Sequence, residues 1–192
     1  MKIGVVSDTH GYFDPHLPQL LYGVDEILHA GDVGSEDVLD QLRAIAPVQA
    51  VRGNVDAASL GISPAVTQRY GGVEIYLVHE LPKPQSALRD WAQEGPLQGK
   101  TGEHCRRFLE SLPAGCQVVI FGHSHEPDAL ILGGKLFFNP GSAGKKRFSL
   151  PRCCGLLEIS GQGVRATFLG LERYNEDLPQ SVWLPIGGTK AC

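Results

Sequence analysis

The chain has 192 residues, 42% hydrophobic and 20% charged, the balance of an ordinary globular domain with enough apolar material for a core. Its 17 Lys and Arg against 21 Asp and Glu leave a net charge of −4, which argues against sequence-independent nucleic-acid binding, where a basic surplus neutralises phosphates. No apolar run approaches the ~20 residues of a membrane span, and Met1–Val6 is too short for the apolar core of a signal peptide, so a cytoplasmic protein is expected.

In chain order, Ile3–Ser7 reads as a buried strand, Pro15–Tyr22 as helical with Pro18 in its first turn, and Glu26–His29 as a second strand. Ser35–Ala46 reads as a helix with Ser35 as its N-cap and Val38, Leu39, Leu42 and Ile45 on one face. Pro47–Arg52 is the third strand, and the βαβαβ order predicts a largely parallel sheet. Val73–His79 is strand-like. The stretch 80–102, with Pro82, Pro84 and Pro96, is the least regular and reads as a surface excursion or a lid. One helix is expected around Glu103–Leu112. Strands follow over Gln117–Gly122, Ala129–Leu132, Lys135–Phe138, Gly155–Ser160 and Val164–Leu169, with hairpin turns at Gly133-Gly134 and Gly161-Gln162-Gly163. The tail 171–192 has no assignment. These elements predict a single α/β domain over 1–192, with two packed mixed sheets and helices outside. Cys105, Cys116, Cys153, Cys154 and Cys192 include no C-x-x-C pair, and a bridge between the adjacent Cys153 and Cys154 would be strained, so reduced thiols are expected.

The chemistry concentrates where apolar runs end: Asp8-Thr9-His10, Gly31-Asp32, Gly53-Asn54, His79 and Gly122-His123-Ser124-His125. In an α/β sheet the ends of neighbouring strands share one crevice, so these residues can meet. Asp-x-His and His-x-His are expected to place side chains on the same side of extended backbone. Imidazole and oxygen donors without thiolate suit Mn²⁺, Fe²⁺, Ni²⁺ or Zn²⁺, and one carboxylate can bridge two ions about 3.5–4 Å apart. Taken singly, Gly-Asp and Gly-Asn mark turns and a strand-end histidine is a core residue; the ordered set of motifs is what points to metal. The basic run Lys145-Lys146-Arg147 is a solvated loop or a contact for substrate phosphate. Arg52 either contacts phosphate or orients Asp56. His29 reads as a core histidine or as a partner behind Asp32, and His16 and His104 as surface residues.

In their order and spacing the motifs resemble the calcineurin-like metallophosphoesterase superfamily, and most closely its small bacterial and archaeal phosphodiesterase branch. The matching blocks are Ser7–His10, His29–Asp32, Arg52–Asp56, His79, Gly122–His125 and Asn139–Ser142, across about residues 1–170. The resemblance implies a four-layer α/β/β/α sandwich. It also implies two divalent ions, Mn²⁺ foremost: Asp8, His10 and His125 would hold one, Asn54, His79 and His123 the other, and Asp32 would bridge them. Asp32, Asn54 and His123 would then serve catalysis, with Arg52, Lys145 and Arg147 near the substrate. The implied reaction is hydrolysis of phosphodiesters or activated phosphomonoesters by direct attack of a metal-bound hydroxide, without a covalent intermediate.

Two residues depart from the superfamily pattern. Val55 stands where many relatives place a histidine beside the motif asparagine, so it offers no proton to a leaving group. Glu80 and Leu81 follow His79, where Gly-His is common. A phosphomonoesterase for a small metabolite and a non-catalytic interaction scaffold of the same fold are the rival readings. A small phosphate ester is the expected partner, no nucleic acid or membrane is expected, and homo-oligomerisation stays open.

Overall fold

The computed structural model describes residues 1–81, 86–147, 149–172 and 178–186. Strands β1 (Lys2–Val6), β2 (Glu26–His29) and β3 (Val48–Ala50) pair in parallel, as the βαβαβ pattern predicts. Antiparallel β9 (Cys153–Ser160), β10 (Gly163–Gly170) and β11 (Val182–Pro185) extend the same sheet from the other edge of β1, giving the order β11-β10-β9-β1-β2-β3. The second sheet runs β4-β5-β6-β8-β7, from β4 (Ala65–Tyr70), β5 (Val73–Val78), β6 (Cys116–Ile120), β7 (Asp128–Leu132) and β8 (Lys135–Asn139). Within it β5, β6 and β8 are parallel, and hairpins carry the outer strands. Both sheets are therefore mixed.

Side-chain alternation assigns the layers. On β1, Ile3 and Val5 face the other sheet and Val6 faces the helices; on β6, Val118 and Ile120 face inward and Val119 outward. The core between the sheets takes Leu28, Ile75, Leu77, Leu136, Phe138 and Leu157 as well. The outer face of the first sheet is covered by α1 (Leu17–Leu20) and α2 (Glu36–Arg43) through Leu17, Val38, Leu39 and Leu42. The outer face of the second is covered by α3 (Ser86–Glu94) and α4 (Gly99–Ser111) through Ala87, Leu88 and Cys105. The order of layers is α/β/β/α.

The differences from the sequence reading have local causes. β4 went unassigned because an edge strand with exposed Thr67, Gln68 and Arg69 has little apolar signal. The 80–102 stretch holds a full helix, α3, and α4 begins four residues before the expected helix; only 82–85 lie outside the described residues. The tail carries β11, whose Leu184 packs into the inter-sheet core, while 173–177 and 187–192 lie outside the described residues. α1 is shorter than Pro15–Tyr22 suggests, with Pro in its first turn as expected. Ser35 does cap α2 with extended backbone, but its hydroxyl makes no capping hydrogen bond. Cys105, Cys116, Cys153 and Cys154 are buried free thiols.

One buried ion pair ties the loops after β1 and β8 together. Arg152 Nη2 donates to the Asp14 carboxylate, its Nε donates to the Gly144 carbonyl, and its guanidinium lies 5.4 Å from the Tyr12 ring centre. The Asp14 side chain is 2% exposed and that of Arg152 14%. Burial alone would raise the Asp14 pKa, but the His16 amide and the Arg152 guanidinium outweigh it and hold it below the usual carboxylate range. Arg152→Met strands a buried carboxylate and should cost about 3–5 kcal/mol near neutral pH by urea denaturation. Because the folded-state pKa is depressed, the pair's contribution is present above the ordinary carboxylate range and is lost as pH falls through the folded value. The gap between wild type and variant should therefore narrow on acidification.

Candidate metal centre

The parallel strands of both sheets point their C-terminal ends at one rim. Asp8 follows β1, Asp32 follows β2 and Asn54 follows β3; across the rim His79 follows β5, and His123 and His125 follow β6. All seven residues singled out as ligands meet there in two linked groups. In the first, His125 Nε2 is 3.3 Å from Asp8 Oδ1 and 3.1 Å from His10 Nε2. In the second, Asn54 Oδ1 is 3.1 Å from His79 Nε2 and 2.9 Å from His123 Nδ1. Asp32 lies between them, with Oδ2 3.8 Å from His10 Nε2 and Oδ1 3.4 Å from His79 Nε2.

These contacts bring acceptor atoms together with few donors among them. Asp8 Oδ1 is buried without a hydrogen-bond partner, and it belongs to two clusters, Asp8–His10–His125 and Asp8–Asp32–His79, whose ligand atoms lie within 4.8 Å of one another. A buried carboxylate oxygen left unpaired is costly unless a cation meets it. The donor set and the orphaned oxygen fit a divalent ion. Protons partly answer the same need in the metal-free chain. Burial disfavours the charged form of His79, but its bond to Asp32 and the nearby Asp8 charge raise its pKa. Asp32 is pushed up by burial, yet its hydrogen bonds with His79 and the Val55 amide bring it down to about 2. His10 is lowered, chiefly by burial and then by the Arg147 charge.

Backbone conformation sets these directions, and not in the way the motifs suggest. Asp8, His10, Asp32, His123 and His125 have φ between 49° and 70°, and they are the non-glycine residues of positive φ among those described. The Asp-x-His and His-x-His pairs therefore sit on left-handed turns and not on extended strand. Such conformations are disfavoured for side-chain-bearing residues and persist where the surroundings over-determine them. Glycines provide the room. A Cβ at Gly53 would lie 2.0 Å from Asp32 Oδ1, one at Gly122 2.0 Å from Ser7 Oγ, and one at Gly31 2.5 Å from His79 Nδ1.

A model of the calcineurin-like phosphoesterase superfamily domain matches residues 1–162. The chain belongs to this superfamily. A probable metallophosphoesterase of Methanothermobacter thermautotrophicus is 31% identical over 180 residues, covering 88% of this chain and 92% of that protein. Among solved structures, wild-type Vps29 of Entamoeba histolytica complexed with zinc shares the fold with a TM-score of 0.70 at 23% identity, over 97% of this chain and all of that one. The phosphoesterase Yfce of E. coli does so with a TM-score of 0.64 at 22% identity, over 96% of this chain and all of that one.

Around these candidate ligands of a metallophosphoesterase runs a layer of fixing contacts. Ser7 Oγ donates to Asp8 Oδ2 at 2.6 Å, and the His123 amide donates to the same oxygen at 3.1 Å. Ser142 Oγ donates to the Asp8 carbonyl, and Asn139 Nδ2 to the Gly122 carbonyl and Ser124 Oγ, so the Asn139–Ser142 turn does buttress the site. His29 is fully buried: its Nδ1 accepts from the Gly31 amide, so Nε2 carries the proton and donates to Thr9 Oγ1 at 2.9 Å. Burial pulls its pKa to about 4, which fits a neutral core histidine.

Other candidates fall outside the ligand cluster. Asp56 takes hydrogen bonds from the amides of Val33, Gly34 and Gly53; of the two alternatives for Arg52, orienting Asp56 is not seen, and Arg52 is exposed. Lys145 and Arg147 are exposed; Lys145 Nζ lies 5.8 Å from the Tyr12 ring centre, and Lys146 pairs with Glu172. His16 and His104 are exposed, and Val55 is 56% exposed. Sequence reasoning missed the supporting role of Ser7, whose one signal was its place inside the first motif. It also missed Glu80, whose Oε1 lies 3.4 Å from His123 Nε2.

Gly53→Ala carries no cost from φ, but its added methyl meets both the Asp32 carboxylate, at 2.0 Å, and the Asp32 backbone nitrogen, at 2.2 Å. The variant should lose stability in urea denaturation and bind Mn²⁺ at least about tenfold more weakly by calorimetric titration, because the turn that carries Asp32 is displaced. Unchanged stability and Mn²⁺ affinity would mean that the close approach at Gly53 does not position Asp32.

Proposed function

We propose that the chain is a single-domain, dinuclear metal-dependent hydrolase of phosphodiesters or activated phosphomonoesters. The observation that carries this reading is the placement of Asp32, with one carboxylate oxygen toward each ligand group. Asp8, His10 and His125 hold the first ion, Asn54, His79 and His123 the second, and Asp32 contributes to both. The mixed imidazole and oxygen set favours Mn²⁺, with Ni²⁺, Fe²⁺ and Zn²⁺ as substitutes. When bound, such ions acidify water and neutralise charge on phosphoryl oxygens. The chain's own part is to orient: the left-handed turns aim the ligands inward, and Asn54 adds an oxygen donor without adding negative charge. Lys145 and Arg147, and less directly Arg52, supply positive charge for the ester beside the site. Metal analysis of chain loaded with Mn²⁺ should give two ions, and chelation should abolish activity until Mn²⁺ is restored. Asp32→Asn should lower kcat by orders of magnitude more than Arg52→Ala. Near wild-type turnover in metal-loaded Asp32→Asn would overturn the two-ion reading.

The preference for diesters and for good leaving groups rests on Val55. A general acid typically contributes about 10²–10⁴-fold, and more as the leaving group becomes more basic. An aliphatic side chain beside Asn54 supplies none. Nitrophenolate leaves without protonation, whereas an alkoxide does not. Across substituted phenyl and alkyl phosphodiesters with saturating Mn²⁺, kcat should fall steeply as leaving-group pKa rises, and Val55→His should flatten the slope. A flat wild-type profile, with chemistry limiting, would place an acid elsewhere.

A further inference from the structure

His123 is the least buried of the four histidines at the rim. Its side chain is 27% exposed, against 4% for His79 and 11% for His125. Its Nδ1 faces the second ligand group, 2.9 Å from Asn54 Oδ1, so the opposite nitrogen, Nε2, points out of that group. A neutral imidazole has one protonated nitrogen and one lone pair. For Nδ1 to offer its lone pair, the proton must sit on Nε2 and find an acceptor. His79 solves the same problem through the backbone, its Nδ1 donating to the Ala30 carbonyl at 2.7 Å and freeing Nε2 for the site. Behind His123 Nε2 stands a side chain, Glu80, with Oε1 3.4 Å away. Glu80 directly follows His79, so the end of β5 serves both histidines of the group.

We propose that Glu80 is a positioning residue for the second metal ion, holding His123 in the Nε2-protonated tautomer with Nδ1 presented to the ion. The inference rests on the two-ion reading. A carboxylate behind a ligating imidazole fixes ring orientation and increases ligand basicity, and removing one typically weakens metal affinity about 10–100-fold. The effect is confined to one ion, because Glu80 stands behind the second ligand group and the first group takes its donors from Asp8, His10 and His125. It also gives a use to a residue that the superfamily pattern commonly fills with glycine.

Two measurements on the full chain test it. In calorimetric titrations with Mn²⁺, Glu80→Ala should weaken the second equivalent about 10–100-fold and leave the first unchanged. Glu80→Gln, whose amide oxygen still accepts from Nε2–H, should recover most of the loss. Equal losses for Ala and Gln would overturn the proposal by assigning the carboxylate to the ion itself, as would wild-type affinity in Glu80→Ala or equal weakening of both equivalents. The second measurement is the ¹⁵N–¹H spectrum of Zn²⁺-loaded protein with His123 assigned: the wild type should show an Nε2–H signal shifted downfield and protected from solvent exchange, and Glu80→Ala an upfield, faster-exchanging one. An Nε2–H signal unchanged in Glu80→Ala overturns the proposal. If wild type holds a single ion, the two-ion reading fails by itself, and the Nε2–H comparison still decides whether Glu80 orients His123.

Discussion

Lone pairs that face one another across three or four ångströms repel, and the rim between the two sheets is lined with them. Asp8 Oδ1, both oxygens of Asp32, Asn54 Oδ1 and the inward nitrogens of the histidines approach one another at 2.9–3.8 Å. A flexible chain would turn these groups toward water. Here five of them, Asp8, His10, Asp32, His123 and His125, are held in left-handed turns, and Asp8, Asp32, His79 and His125 are buried. At roughly 1–2 kcal/mol per residue, five such turns are a large strain for a domain whose net stability is of order 5–15 kcal/mol. The backbone strain is carried by the packing around the turns, whereas the repulsion is answered in part by protons such as that shared by His79 and Asp32, and more fully by a cation.

The architecture answers the question of what holds the turns in place. Parallel strands bring β1, β2 and β3 to the rim from one sheet and β5, β6 and β8 from the other. Amides then pin the turns across the strands: Asp8 N–H donates to the Gly31 carbonyl, His10 N–H to that of Asp32, and Gly122 N–H to that of His79. Each turn is thus hydrogen-bonded to another ligand-bearing turn, so displacing one disturbs the next. The glycines at 31, 53 and 122 are part of the same device, since a methyl at any of them would occupy space already filled by a ligand or its supporting serine.

Much of this was legible in the residues, for a physical reason. Strands such as Ile3–Ser7 and Gln117–Gly122 are apolar on both sides because both their faces are covered, and an unbroken apolar run ending in Asp or Gly-His is hard to produce otherwise. β4 and β11 lie at the sheet edges and need fewer apolar side chains, so their pattern is weak. α3 follows a Pro-rich approach that masks its own period, although Ala87, Leu88 and Trp91 are spaced as a helix face. That these seven residues share one rim was readable from their order, whereas the geometry behind it was not. Period-two spacing suggested extended backbone, and positive φ at Asp8 and His10 is invisible in residues that are not glycine. The contact of Glu80 with His123 joins positions far apart in sequence, and no local pattern reports it.

The surroundings of the two ligand groups differ in charge, and that difference bears on how an anionic ester reaches the rim. The chain as a whole carries −4, which repels a phosphate at long range. Beyond a Debye length of about 8 Å in physiological salt that repulsion is screened, so the charges lining the last approach dominate. On the side of His10 these are Lys145 by the Tyr12 ring, and Arg147, whose field reaches far enough to help lower the His10 pKa. On the side of His123, among the described residues, the Glu80 carboxylate lies 3.4 Å from Nε2. Under the proposed function, an incoming phosphate meets the positive charges beside the first group. Val55, which follows Asn54 in the second group, is apolar and 56% exposed. It offers no proton to a departing oxygen, so in that reading the charge beside one group and the missing acid beside the other act together on the choice of ester.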